Sequence, residues 1–140
     1  MRAIVDTNLL IAALLWRGLP HRLLEQARGG ALTLISSPTL LAELQDVLAR
    51  ETFSAISARA RLSRELAFEQ LQQLIVLVEA PPLAVPVCRD PDDDHVLAAA
   101  RAANADSIIT GDHDLLTLGD FQGIPIRTAR QALAILDRSR

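Results

Sequence analysis

Short apolar runs alternate along the chain with longer segments in which apolar side chains recur at helical spacing. Short continuous runs are typical of parallel strands covered on both faces, and helices are the usual connections between such strands. This alternation predicts an α/β fold. The 140 residues contain no repeat, low-complexity tract or linker-like stretch, so we expect a single domain over residues 1–140.

The predicted elements follow from the apolar runs and from the residues that begin and end helices. Predicted strands cover residues 3–5, 32–35, 74–78, 107–109 and 124–126. Helices are predicted to begin near Leu9, Pro20, Pro38, Thr52 and Pro91, and after Thr128. Thr7 or Asn8 is expected to cap the first helix, and residues 111–119 are expected to be mostly loop. Pro125 is expected to confine its strand to an edge of the sheet.

Composition excludes several classes of protein. Cys88 is the only cysteine, which excludes a disulfide scaffold. The chain is 50% hydrophobic with a net charge of −3, which excludes extensive disorder. No apolar run approaches the ~20 residues of a membrane helix. Asp6 and Asn8 interrupt the apolar stretch near the N-terminus, so we expect no signal peptide and a cytoplasmic protein.

The charged residues limit how this chain could handle nucleic acid. All 14 basic residues are arginines, and they are outnumbered by 17 acidic residues. This balance argues against a broad basic surface that binds phosphates by charge alone. A site for phosphate chemistry would therefore need metal ions to offset its carboxylates.

Acidic residues fall where predicted strands end or helices begin. Asp6 directly follows the first strand, and Asp112 follows the strand at residues 107–109. Four aspartates lie at or near the start of the helix at Pro91, and Glu43 lies within the helix that begins at Pro38. Because ligands of open parallel sheets bind beyond the carboxyl ends of the strands, the topology can bring these acids to one edge.

Helical phase distinguishes two neighbouring aspartates. Asp93 precedes Val96 by three residues and Leu97 by four, so it shares the predicted buried face of its helix. Asp94 points roughly the opposite way. Glu43 lies on the flank of the buried face of its own helix. Asp93 is therefore the better candidate for an inward-facing metal ligand.

Each acid alone has a structural explanation. Asp6 could cap a helix, and Asp112 and Asp114 could form a turn. Acids in the first turn of a helix also stabilise its dipole. Together, however, these acids would repel one another in a partly desolvated place unless a cation lies between them.

Oxygen ligands without cysteine favour Mg²⁺ or Mn²⁺ as that cation. The three histidines, His21, His95 and His113, lack the spacing of a zinc site and are not predicted to be ligands.

Four motifs, taken in order, resemble those of the PIN-domain nucleases, and among them the VapC-type toxins of bacterial toxin–antitoxin pairs. They are Asp6-Thr7-Asn8 after a short strand, Glu43-Leu44 in a helix, RDPDDDHVL at residues 89–97 and TGDHDLL at residues 110–116. The resemblance covers essentially the whole chain. It implies a three-layer α/β/α domain with a parallel sheet of about five strands.

The resemblance also implies roles for individual residues. The catalytic and metal-binding acids would be Asp6, Glu43, Asp93 and Asp112. Asp114 would add a ligand or hold Asp112 in place. Supporting or phosphate-contacting groups would be Thr7, Asn8, Asp94 and Thr110. Gly111 stands where such toxins often carry a larger residue, so it allows no prediction of substrate contacts.

The resemblance implies a Mg²⁺- or Mn²⁺-dependent endoribonuclease that acts on single-stranded RNA. Hydrolysis by such an enzyme would leave a 5′-phosphate and a 3′-hydroxyl. The implied partners are the RNA and a cognate antitoxin that covers the site. The paired apolar helices after Leu9 and Pro20 suggest a homodimer surface or part of the core. Because aromatic residues are few, RNA contacts are expected from Arg17, Arg22 or the segment from Arg59 to Arg64.

Three other functions fit parts of the pattern. A receiver-like signalling module also carries acids at strand ends, but it needs a lysine, and the chain has none. A haloacid-dehalogenase-type phosphatase needs a second aspartate two residues after the first, where Asn8 stands. A catalytically inactive PIN-like binding scaffold is disfavoured because all four acids are present.

Overall fold

The computed structural model of the chain describes residues 1–15, 18–51 and 58–138. Within these residues, helices and strands alternate along the chain as predicted. The elements are β1 (Arg2–Val5), α1 (Thr7–Leu15), α2 (Leu19–Arg28), β2 (Thr33–Ser36), α3 (Pro38–Glu51), α4 (Ala58–Leu74), β3 (Ile75–Leu77), α5 (Pro91–Ala103), β4 (Ser107–Ile109), α6 (His113–Leu118), β5 (Asp120–Phe121), β6 (Ile124–Arg127) and α7 (Ala129–Arg138).

The strands form one sheet in the order β3-β2-β1-β4-β6-β5. All neighbours are parallel except β5 and β6, which are antiparallel. The α/β prediction is confirmed. The described residues contain five parallel strands, as expected, and the short antiparallel strand β5 in addition.

Both faces of the sheet are covered by helices. Ala3 and Val5 belong to one buried cluster, which includes side chains of α1, α2, α3, α4 and α7. Ile4 and Ile108 belong to the other, which is built mainly with α5 and α6. Because successive side chains of a strand point to opposite faces, each apolar run contributes side chains to both buried clusters. The expected three-layer α/β/α arrangement is confirmed.

Two predicted helix starts have the expected caps. The Leu40 N–H donates to Ser37 Oγ at 3.2 Å at the start of α3. At α7, the Gln131 N–H donates to Thr128 Oγ1 at 3.1 Å, and the Thr128 N–H donates to Gln131 Oε1 at 2.9 Å. This reciprocal pair is a capping box.

The first helix begins earlier than predicted. The expected caps were Thr7 or Asn8, but α1 already includes both residues. Its cap is Asp6, whose Oδ1 accepts the Leu9 N–H at 2.8 Å. The helix expected from Thr52 is described from Ala58, and residues 52–57 lie outside the described part of the chain.

Residues 111–119 are not mostly loop, because they contain α6. The Asp112 side chain caps this helix by accepting the Leu115 N–H at 3.0 Å. The strand with Pro125 is not at the edge either, because β5 pairs beyond it. Pro125 is tolerated there because pairing with β4 begins one residue later, at Ile126.

The apolar residues of α1 and α2 are largely used inside the chain. Leu10, Ala13, Leu23 and Leu24 are all buried in the first cluster. Their burial favours the core over a homodimer surface for these side chains. Among the described residues, no helix combines the length and apolar character needed to cross a bilayer.

Candidate active site

The predicted acids meet in one cleft at the carboxyl ends of β1 and β4. The cleft has a volume of about 350 Å³. Its lining residues come mostly from α1, α3, α5 and the segments that follow β1 and β4: Asp6, Thr7, Asn8, Glu43, Asp46, Val47, Arg50, Asp90, Asp92, Asp93, Val96 and Asp112. Asp6, Glu43, Asp93 and Asp112, which are far apart in sequence, therefore share one cavity.

Asp6 is held at the floor of this cleft and is only 7% exposed. The Thr110 hydroxyl donates to its Oδ2, and Thr110 Oγ1 in turn accepts the Asp112 N–H at 2.9 Å. This fully buried threonine thus links the ends of β1 and β4, and it has no surface left for a phosphate contact. Burial raises the pKa of Asp6 against the opposing effect of the Thr110 hydrogen bond.

Glu43 faces the same cleft from α3. Its Oε1 lies 2.5 Å from His95 Nδ1 on α5, and the same nitrogen lies 3.9 Å from Asp92 Oδ1. Burial raises the pKa of Glu43, the His95 hydrogen bond opposes that shift, and the Asp92 charge adds to it. The net result is a raised pKa, so the site favours the protonated form of Glu43 more than water does.

Asp93, Asp112 and Asp114 form a close group of acids. Each can offer one carboxylate oxygen such that the three oxygens lie within 4.8 Å of one another. Burial, followed by the charges of Asp112 and Asp90, raises the pKa of Asp93 to about 6. Asp114 is also paired with Arg89, whose Nη2 donates to its two oxygens at 2.8 and 3.0 Å.

Asp94 does not line the cleft. Its carboxylate accepts the Cys88 N–H at 2.8 Å and the Val87 N–H at 3.2 Å. It therefore anchors the segment before α5, on the side opposite Asp93, as the helical phase predicts. Asp90, by contrast, caps α5 and also lines the cleft.

Sequence reasoning missed Asp46, Arg50 and His95. Asp46 and Arg50 follow Glu43 by three and seven residues, a spacing that puts all three on one face of α3. Arg22, which was expected to contact RNA, is instead paired with Asp137 at 3.5 Å and does not line the cleft. Arg17 and the side chains of Arg59, Arg61 and Arg64 lie outside the described part of the structure.

A family model described as a PIN domain matches residues 2–114, a range that contains all four predicted acids. The chain belongs to the PIN-domain family. No curated protein sequence matches this PIN domain.

Two solved structures share the fold. One is the crystal structure of PAE2754 from Pyrobaculum aerophilum, with a TM-score of 0.66 and 16% identity, covering 99% of this chain and 90% of that chain. The other is VapBC2 from Rickettsia felis bound to a DNA fragment from their promoter, with a TM-score of 0.61 and 15% identity, covering 91% of this chain and 98% of that chain.

The acids of this PIN domain fit a divalent cation. The donor set consists of carboxylate oxygens, which hard cations such as Mg²⁺ and Mn²⁺ prefer. Three of the four predicted acids have a raised pKa, chiefly because burial disfavours their charged forms, and the protein's own groups do not fully balance that cost. A bound cation would supply that balance.

The metal-free PIN domain should lose stability as pH rises from about 4 to 6. The pKa of Asp93 is about 6 in the folded chain against its usual 3.8, so the folded state binds the proton more tightly across this window. Thermal melting in chelator should show this loss, with a smaller slope for Asp93→Asn than for wild type. If stability fell equally with pH in the two proteins, the result would contradict a raised pKa at Asp93.

Proposed function

We propose that this PIN domain is a metal-dependent endoribonuclease in which Asp6, Glu43, Asp93 and Asp112 hold Mg²⁺ or Mn²⁺. The observation that carries the proposal is the convergence of these acids from four segments in one cleft. Their family supports it, because PIN domains are generally nucleases. The choice of RNA as the substrate and of Mg²⁺ or Mn²⁺ as the metal goes beyond what membership of the PIN-domain family implies.

The chain's own groups would prepare the site for hydrolysis. Thr110 and the Leu9 N–H fix Asp6, and the cap of α6 fixes Asp112, so these two carboxylates need little reorganisation. A bound divalent ion would lower the pKa of a water molecule and offset the charge of the scissile phosphate. Hydrolysis is expected to leave a 5′-phosphate and a 3′-hydroxyl.

The surface around the acids suits a strand that passes across the site. A second depression of about 300 Å³ shares Asp6, Asn8 and Asp112 with the main cleft and continues to Gly111 and His113. The two depressions adjoin at these three residues, and together they would form the path of the bound strand. Asn8 and Thr7 line this path and are available for contacts with phosphate or ribose.

Arg50 is expected to contact a phosphate of the bound RNA. It is the basic residue in the lining of the main cleft and forms no ion pair with another described residue. It lies about 10 Å beyond Glu43 along α3. The test uses Asp93→Asn as the parent protein, so that the RNA is bound without being cleaved. In this parent, Arg50→Gln should weaken RNA binding several-fold. It should also lower the slope of log affinity against log salt concentration by about one.

Fluorescence anisotropy with a labelled single-stranded RNA measures both quantities. Arg101→Gln is the matched control, since Arg101 is an exposed arginine on α5 outside the cleft lining. Unchanged affinity and salt slope for Arg50→Gln would contradict the contact.

We further propose that the protein is the toxin of a toxin–antitoxin pair in the cytoplasm. The support is its fold, which is shared with a VapBC2 complex. The cognate antitoxin would cover the cleft, with an arginine placed among the acids, and the toxin would form a homodimer. Co-expression with the cognate antitoxin should yield a complex with reduced nuclease activity.

Incubation of a mixed RNA pool with Mn²⁺ tests the nuclease proposal. Fragments with 5′-phosphate ends should form with Mn²⁺ and should disappear when a chelator is added. Absence of cleavage in Mn²⁺ would favour the inactive binding scaffold, and cleavage that survives chelation would contradict the metal site.

A further inference from the structure

We propose that His95 is a positioning residue for Glu43, with its Nδ1–H holding the glutamate carboxylate in the orientation that binds the metal. This inference rests on the proposed function. The sequence did not indicate this role for His95, because the spacing of the histidines served only to exclude a zinc site.

The contact joins two helices that both supply acids to the cleft. Glu43 on α3 and His95 on α5 are 52 residues apart, and Nδ1 lies 2.5 Å from Oε1. The side chains are 22% and 37% exposed, respectively, so water reaches this pair only in part. When Glu43 is ionised its carboxylate can only accept a hydrogen bond, so the proton of this contact then lies on His95 Nδ1.

Glu43 needs such a partner more than the aspartates do. Asp6 and Asp112 precede helices, where free backbone N–H groups hold their carboxylates. Glu43 lies within α3, where the backbone N–H groups are used by the helix. Its longer side chain also has more rotamers to lose. Among the described residues, His95 is the donor that reaches its carboxylate.

The surroundings of His95 favour support for a ligand over direct metal binding. Its Nδ1 faces Glu43 and, more distantly, Asp92, so that nitrogen is already occupied. Carboxylates that bind metals are generally held by hydrogen bonds from neighbouring groups, and loss of such a group typically weakens metal binding by about ten- to a hundredfold.

Calorimetric titration with Mn²⁺ alone tests the role without any substrate. His95→Ala should bind Mn²⁺ roughly ten- to a hundredfold more weakly than wild type. His95→Asn should recover most of that loss, because its amide can donate from a position close to that of Nδ1. His21→Ala is the matched control, since His21 lies 3.5 Å from Glu25 away from the cleft, and its Mn²⁺ affinity should equal that of wild type.

The outcomes separate this inference from the proposed function. Wild-type affinity in His95→Ala would overturn the positioning role and leave the nuclease proposal standing. Equal losses in His95→Ala and His95→Asn would indicate direct coordination by the imidazole and would also overturn it. Failure of the wild-type protein to bind Mn²⁺ would overturn the metal site and this inference together.

A long-range ¹H–¹⁵N spectrum of the metal-free protein gives an independent readout. A protonated Nδ1 on His95 is expected, whether or not Nε2 is also protonated. An unprotonated Nδ1 would mean that the nitrogen accepts a hydrogen bond, which contradicts donation to Glu43.

Discussion

Asp93→Asn should lower RNA cleavage by more than about a hundredfold, while Asp94→Asn should leave cleavage within a few-fold of wild type. The two residues are neighbours, and the substitution is the same in both. Loss of a group that only supports a metal ligand costs about ten- to a hundredfold, and loss of a ligand itself should cost more. Asp93 lines the cleft among other acids, whereas Asp94 binds the Val87 and Cys88 N–H groups.

The stability of the two variants should change in opposite directions. The amide oxygen introduced by Asp94→Asn would still accept one of these hydrogen bonds, so this substitution should cost about 1 kcal/mol of unfolding free energy. Asp93→Asn should stabilise the metal-free protein above pH 6, because it removes a carboxylate that burial and neighbouring charges disfavour. Cleavage rates in Mn²⁺ and melting temperatures in chelator measure the two effects. Equal loss of cleavage in both variants, or loss in Asp94→Asn alone, would contradict the assignment.

Mn²⁺ should raise the melting temperature of the wild-type protein by about 10 °C near neutral pH. A ligand that binds only the folded state at a hundred times its Kd adds about 2.7 kcal/mol, which corresponds to a shift of that size in a domain of this length. The shift should shrink as pH falls toward 5, because protons then compete with the metal for the acids whose pKa is raised.

Asp6→Asn should remove most of this Mn²⁺ effect and should raise the melting temperature in chelator. Its carboxylate is buried beside Asp112, and burial is the main cause of its raised pKa. Asp106→Asn is the matched control, because Asp106 accepts the Arg2 N–H at 2.8 Å at an exposed position outside the cleft. It should keep the full Mn²⁺ shift. A wild-type protein that melts at the same temperature with and without Mn²⁺ would contradict the metal site.

The floor of the site could be predicted from the sequence because its residues follow strands directly. A buried run such as residues 3–5 identifies a strand, and the acid after it must lie at the carboxyl edge of a parallel sheet. Helical periodicity likewise separated Asp93 from Asp94 without any tertiary information. These inferences depend on chain geometry alone.

The walls of the site could not be predicted in the same way. The contact between Glu43 and His95 depends on how α3 packs against α5, and no local sequence pattern encodes that packing. The spacing that groups Asp46 and Arg50 with Glu43 also occurs on any solvated helix face. The missed helix α6 spans His113–Leu118 and the missed strand β5 only Asp120–Phe121, lengths at which periodicity carries little signal.

The position of Mn²⁺ in crystals, located by its anomalous scattering, tests the metal centre most directly. We expect Mn²⁺ in the cleft, within about 2.1 Å of carboxylate oxygens from Asp6, Glu43, Asp93 or Asp112, with ligands from at least two of the four segments that carry them. Manganese bound only to acids outside this cleft, or no bound manganese at millimolar concentration, would contradict the proposed metal centre.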